Sequence, residues 1–257
     1  MYLNESKVEF GNCKDIMPRY TGGQFNLIIT SPPYYNQRDC ATGGEQLDGT
    51  YPNIEAYFAD MRLILSECIR LAAPGAIFAI NIGNDPTYYL PGWWAKEMMA
   101  KDLKFIDCIA WVKGTGNMTR RFHIEAKNIY YPQIVWEPVL IFQKSRETGF
   151  DDKGFPKFEE RFTYLASKLY GTNVWEIPQD NEASWHPAPY PRKLATNLIS
   201  LYSEPNSRIL DPFSGGGTTA VAVDEVGNGR KYLVCELIQS HYENSLKRIN
   251  SNEVGFL

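Results

Sequence analysis

Arg208-Ile209-Leu210-Asp211-Pro212-Phe213-Ser214-Gly215-Gly216-Gly217-Thr218-Thr219 is the stretch whose reading decides the fold. Its first residues have strand character and run into a turn whose glycines let the backbone approach a ligand closely. Thr218 and Thr219 then open a helix over 218–226, whose first amides favour anionic groups. Gly-x-x-x-x-Gly-Lys is absent, so the turn is not a phosphate-binding P-loop. The next strand, Lys231 to Cys235, leads to Glu236, about 25 residues after Asp211, where a carboxylate can accept bonds from two hydroxyls.

Working outward, strands and helices alternate. Val8 to Phe10 predicts a short strand ending in Gly11-Asn12, and Phe25 to Thr30 predicts a buried strand that two prolines terminate. Residues 35–53 carry Gly43-Gly44, Asp48-Gly49 and Pro52 and predict a long loop. Ile54 to Ala72 has helical spacing, Pro74-Gly75 stops it, and Ala76 to Ile82 predicts another buried strand. A helix over 92–100, strands over 105–112 and 134–142, and helices over 191–202 and 242–249 complete the pattern. Such alternation implies an α/β fold, doubly wound on a mostly parallel sheet, with ligands beyond the carboxyl ends of its strands. We expect a single domain spanning 1–257, with an irregular polar insertion at 144–185.

The second informative stretch is Ser31-Pro32-Pro33-Tyr34, which follows Thr30. Ser31 Oγ and the Pro32 carbonyl are acceptors, since proline contributes a C=O and no N–H. The prolines stiffen the loop, and Tyr34 offers a flat face for stacking.

The two stretches together resemble the signatures of the DNA amino-methyltransferases, which methylate the exocyclic nitrogen of cytosine or adenine. Asn81-Ile82-Gly83-Asn84-Asp85, Trp136-Glu137-Pro138-Val139-Leu140-Ile141-Phe142 and His186-Pro187-Ala188-Pro189-Tyr190-Pro191 also resemble family segments at the expected places. The catalytic motif precedes the cofactor motif, the circularly permuted order called the β class. The resemblance implies a Rossmann-like methyltransferase fold that binds S-adenosyl-L-methionine, with a catalytic half (1–143), a target-recognition insertion (144–185) and a cofactor-binding half (186–257). It places Ser31, Pro32, Pro33 and Tyr34 at the transfer site. Asn12, Cys13, Thr30, His186, Asp211, Pro212, Phe213, Ser214, Gly215, Gly217, Thr218, Thr219, Glu236 and Leu237 would bind the cofactor, with Glu236 on its ribose. Many relatives carry Asp where Asn12 stands, and Phe213 is open to two readings, over the adenine ring or in the core.

Net charge is −4, which argues mildly against a nucleic-acid partner. Yet Lys113 to Lys168 holds ten Lys/Arg against seven Asp/Glu, while the remainder holds sixteen against twenty-three. Arg120, Arg121, Lys127, Lys153, Lys157, Arg161 and Lys168 are therefore the expected contacts to double-stranded DNA. Five scattered cysteines without Cys-x-x-Cys, and three dispersed histidines, predict no disulfide framework and no metal site. With no signal peptide at the N-terminus and no run of about 18 apolar residues, the sequence predicts a cytoplasmic protein without a membrane partner. A homodimer and a cognate restriction endonuclease are further partners that the resemblance allows.

Ser31 favours N4 of cytosine in this family, and N6 of adenine is the alternative. Methylation of a protein glutamine amide uses an Asn-Pro-Pro-Tyr loop with the cofactor motif first, so the order here counts against it. A non-catalytic DNA-binding module predicts a damaged motif, and none is evident beyond Asn12.

Overall fold

The computed structural model describes residues 1–35, 51–83, 88–101, 103–114, 135–145, 171–180, 182–183 and 190–253. The strands are β1 (Lys7–Phe10), β2 (Phe25–Thr30), β3 (Ala72–Asn81), β4 (Leu103–Val112), β5 (Trp136–Lys144), β6 (Val174–Glu176), β7 (Arg208–Asp211) and β8 (Lys231–Glu236). They form one sheet in the order β1-β8-β7-β2-β3-β5-β4-β6. Pairing is parallel except at β5, which runs antiparallel to both β3 and β4.

The helices are α1 (Cys13–Ile16), α2 (Ile54–Leu71), α3 (Leu90–Met99), α4 (Arg192–Tyr202), α5 (Thr218–Val226) and α6 (Gln239–Glu253). Asn53 caps α2, its side chain accepting from Ala56 N at 2.8 Å. Tyr57, Met61, Ile64, Leu65, Cys68 and Leu71 then recur at helical spacing and are buried. With β2, β3 and α3 they build a core on one face of the sheet. A second core on the other face joins Leu27, Ile29 and Ile209 to Leu194 and Leu198 of α4 and Val221 of α5. Each such aliphatic side chain removed from water contributes roughly 1.5–3 kcal/mol, so a sheet buried on both faces is a rigid platform for its loops.

Several elements differ from expectation: β4 starts at Leu103, β5 is shifted to 136–144 and α6 runs from Gln239 to Glu253, and three further differences are informative. The strand after α2 begins at Ala72 and passes through Pro74-Gly75 instead of starting beyond them. A register shift between Phe25 and Leu27 of β2 absorbs the proline, and Gly75 takes a left-handed φ of 80°. α3 starts at Leu90 and not Gly92, because Pro91 fits the first turn of a helix, where its missing N–H costs nothing. Within the irregular 144–185 segment, Val174–Glu176 pairs with Ala110–Val112 as β6. Residues 174–176 are thus part of the sheet.

Sheet order reverses between β2 and β7. β2 leads through α2 to β3 on one side, whereas β7 leads through α5 to β8 on the other. At such a reversal the loops diverge and a crevice opens beyond the carboxyl ends. Thr30-Ser31 and Asp211-Pro212 leave the sheet there.

Candidate active site

The reversal point is tied by a buried hydrogen bond. Thr30 Oγ1 donates to Asp211 Oδ1 at 2.7 Å, across 181 residues of sequence. The same oxygen accepts from Phe213 N at 3.0 Å, while Oδ2 accepts from Thr219 Oγ1 at 2.5 Å. Tyr190 OH pairs with Thr219 Oγ1 in turn. Asp211 and Thr219 have no solvent exposure. Burial raises the Asp211 carboxyl above the usual carboxylate range, and the bonds from Thr219, Thr30 and Phe213 pull it back. Asp211 and Thr219, both expected at the cofactor, hold the turn in shape through these bonds.

Beyond Asp211, Gly215 and Gly217 take φ of 51° and 73°, and Gly217 caps α5. A Cβ at Gly217 would lie 2.9 Å from Ser245 Cβ, so α6 packs against the bare backbone. Arg248 of α6 braces the outside of the turn, donating to Gly216 O and Thr218 Oγ1, both at 2.9 Å. Glu236 closes β8 with its carboxylate pinned, Oε2 accepting from Gly215 N at 2.7 Å and Oε1 from Ile238 N at 2.8 Å. A carboxylate offers about four acceptor positions, and these two amides set its plane. Ser214 Oγ, in the turn between half-buried Phe213 and the Gly215 amide that Glu236 binds, is buried without a hydrogen-bond partner. A buried orphan hydroxyl costs stability unless a bound molecule satisfies it. The turn therefore fits a polar ligand. Asn12, at the neighbouring end of β1, uses Oδ1 to cap α1 at Lys14 N, 3.0 Å away, so that amide is first a helix cap. Cys13 beside it is buried. Leu237 is half-buried after β8.

On the other side of the reversal, the Ser31–Tyr34 loop is held at three points. Ser31 Oγ donates to Asn81 Oδ1 at 3.5 Å, and Asn81 Nδ2 donates to Pro138 O at 3.3 Å. Tyr57 of α2 donates its hydroxyl to Pro33 O at 3.0 Å. Tyr57 itself sits among Tyr35, Tyr51, Phe58 and Trp93. Tyr34 donates to Glu137 Oε2 at 3.2 Å. Burial, and after it the Glu137 charge, raises the Tyr34 phenol well above its ordinary value, so it stays protonated.

Glu137, Lys113, Tyr57, Tyr190 and Arg248 are the site residues that motif reading left without a role. Glu137 and Tyr190 belong to the segments 136–142 and 186–191, but hydrogen bonds between distant strands leave no local pattern. His186 lies outside the described residues, as do Arg120, Arg121, Lys127, Lys153, Lys157, Arg161 and Lys168. Among the described residues no cluster of three His, Cys, Asp or Glu could hold a metal ion, and no helix is long and apolar enough to cross a membrane.

A mostly parallel sheet carries two loops at its reversal point, one rich in glycine and one with Ser-Pro-Pro-Tyr, as the resemblance to amino-methyltransferases implies. The family described as DNA methylase, of the N6/N4 kind, matches residues 25–247, and the chain belongs to it. M.BslI, a type II beta methyltransferase of Bacillus sp. (strain NEB-606), is 26% identical over 82% of this chain and 24% of that protein. The chain thus spans about a quarter of that relative's length. Among solved structures, TTHA0409, a putative DNA modification methylase of Thermus thermophilus complexed with S-adenosyl-L-methionine, superposes with a TM-score of 0.68 at 21% identity, covering 97% of this chain and 96% of that one. The PvuII DNA methyltransferase, cytosine-N4-specific, gives 0.72 at 17% identity, covering 95% and 86%. At these identities the likeness is one of fold.

Proposed function

We propose that the chain transfers a methyl group from S-adenosyl-L-methionine to the exocyclic amino group of a base in double-stranded DNA, at N4 of cytosine. The observation that carries this reading is the Thr30–Asp211 bond, which sets an acceptor loop and a glycine turn side by side at the sheet reversal. When bound, the cofactor supplies a methyl group on a positively charged sulfur. Ser214 Oγ, the Gly215–Gly217 backbone and the Glu236 carboxylate would hold it, Glu236 taking the ribose hydroxyls. That the TTHA0409 structure holds this cofactor supports the assignment.

The work of the other loop is to make a poor nucleophile usable, because a ring amine delocalises its lone pair. Ser31 Oγ and the Pro32 carbonyl would accept its two hydrogens, bias the nitrogen towards a tetrahedral shape and stabilise the positive charge developing there. Tyr34 would stack on the extruded base, typically worth ~1–3 kcal/mol. The methylated amine then loses its proton to water. The Ser31 hydroxyl can donate to Asn81 Oδ1, 3.5 Å away, and its oxygen would then accept from the base. Acceptance alone serves cytosine and adenine equally, so the choice of cytosine rests on serine at the first motif position and on the N4 specificity of the PvuII enzyme. N6 of adenine is the second reading.

Residues 144–185 would carry target recognition, with Lys153, Lys157, Arg161 and Lys168 on phosphates or base edges. The type II naming of M.BslI supports a restriction–modification role with a cognate endonuclease. The deciding experiment incubates the protein with methyl-labelled cofactor and either DNA or total protein, then digests labelled DNA to nucleosides for mass spectrometry. N4-methylcytosine is expected. Methyladenine alone overturns the choice of base, and label in protein alone overturns the substrate.

A further inference from the structure

Glu137 sits second in β5 yet reaches the loop that follows β2, 103 residues away, where it accepts from the Tyr34 hydroxyl at 3.2 Å. Its other oxygen is paired with the Lys113 ammonium. The side chains of Lys113 and Glu137 are 16% and 13% exposed, so water screens the pair weakly. The same ammonium lies 4.9 Å from the centroid of the Trp111 ring, which fixes it from a second side. Gly83 closes the arrangement. A Cβ there would stand 2.8 Å from Tyr34 Cε2 and 3.2 Å from Glu137 Oε1, so ring and carboxylate meet over a bare backbone.

A tyrosine ring swings about Cα–Cβ and flips about Cβ–Cγ. Its hydroxyl lies on the second axis, so a bond there stops the swing and keeps the ring edge against the contact that stops the flip. Here the hydroxyl is bonded to a carboxylate and one ring edge rests on Gly83. Stacking places a base against that ring, and the tilt of the base decides whether its amino group lines up for transfer. Misplacement of about 1 Å at a reacting centre can cost on the order of a hundredfold in rate.

We propose that Glu137, held in turn by Lys113, is a positioning residue that fixes the plane of Tyr34 and thereby the plane of the target base. The inference rests on the reading of residues 31–34 as the base-handling loop. A purely structural ion pair between β4 and β5 would instead affect stability and leave Tyr34 untouched.

The test compares wild type, Tyr34→Phe, Glu137→Gln and the double variant. Tyr34→Phe keeps the stacking face and drops the hydroxyl, whereas Glu137→Gln keeps the shape and drops the charge. Each single change should lower kcat on DNA about tenfold with KM for the cofactor unchanged, and the double variant should be no slower than the slower single one. Effects that multiply, or wild-type kcat in Glu137→Gln, overturn the proposal.

Because Glu137→Gln strands the Lys113 charge, Glu137→Gln/Lys113→Gln serves as a neutral control. In both, the flip rate of the labelled Tyr34 ring, measured by NMR, should rise above wild type, and an unchanged rate overturns the proposal. Faster flipping in a protein whose wild type methylates no DNA would remove the base-handling reading and leave the clamp standing. An active wild type with unchanged flipping would do the reverse.

Discussion

Asp211 holds the reversal point together. It is a carboxylate without solvent exposure, and its oxygens are spent on Thr30, Thr219 and Phe213 N. Thr30→Val is nearly isosteric and leaves Oδ1 one donor short. It should cost about 1–3 kcal/mol, read by urea unfolding. The sign with pH follows from the raised Asp211 carboxyl. A group whose folded value lies above its unfolded one stabilises most when protonated, and that contribution is lost as pH rises through the folded value. Thr30 pulls the value down, so its loss should hurt more at neutral pH than in acid. Tyr34 and Glu236 separate the two halves of the reaction. Tyr34→Ala should lose most turnover and keep cofactor affinity in calorimetry, whereas Glu236→Ala should weaken cofactor binding first. Equal loss of cofactor binding in both would refute that division of labour.

At the scale of elements, the packing of α6 on the turn before α5 sets the sharpest constraint. Gly217→Ala asks an L-residue to hold φ of 73° with its new methyl 2.9 Å from Ser245 Cβ. The backbone alone should cost about 1–2 kcal/mol, and adding Ser245→Gly should recover only the steric remainder, both read by denaturant midpoint. The central strands and α2, α4 and α5 were legible because each has its own period and its own stop signal. Ile54 to Leu71 repeats at helical spacing, and Phe25 to Thr30 runs apolar into two prolines. The two motifs at strand ends were legible for the same reason. β6 was not, since three residues are too few to show a period. The strand through Pro74-Gly75 was misplaced because a bulge, which depends on the partner strand, accommodates what local rules forbid. The Glu137–Tyr34 and Thr30–Asp211 bonds join strands far apart in sequence, and only the sheet order brings them together.

For the molecule as a whole, a net charge of −4 must be reconciled with the DNA substrate proposed above. The local excess of basic residues between Lys113 and Lys168 does so if that segment faces the phosphates. Neutralising Lys153, Lys157, Arg161 and Lys168 together should weaken DNA binding and flatten its dependence on salt, whichever base is methylated. Affinity and slope that stay as in wild type would move the DNA surface elsewhere, to Arg120, Arg121 and Lys127 first.

The pairing of β2 with β7 also constrains how the protein is made. On the side away from β3, Leu27 and Ile28 pair with Ile209 and Leu210. While the ribosome is still adding residues before Arg208, the β7-facing edge of β2 has no neighbour and Thr30 has no carboxylate to bond. A nascent chain in that state carries Ser31–Tyr34 without the turn that completes the crevice, and an open apolar edge of this kind invites association with other chains. The sheet and the crevice are therefore complete only after β7 and β8 have both been made.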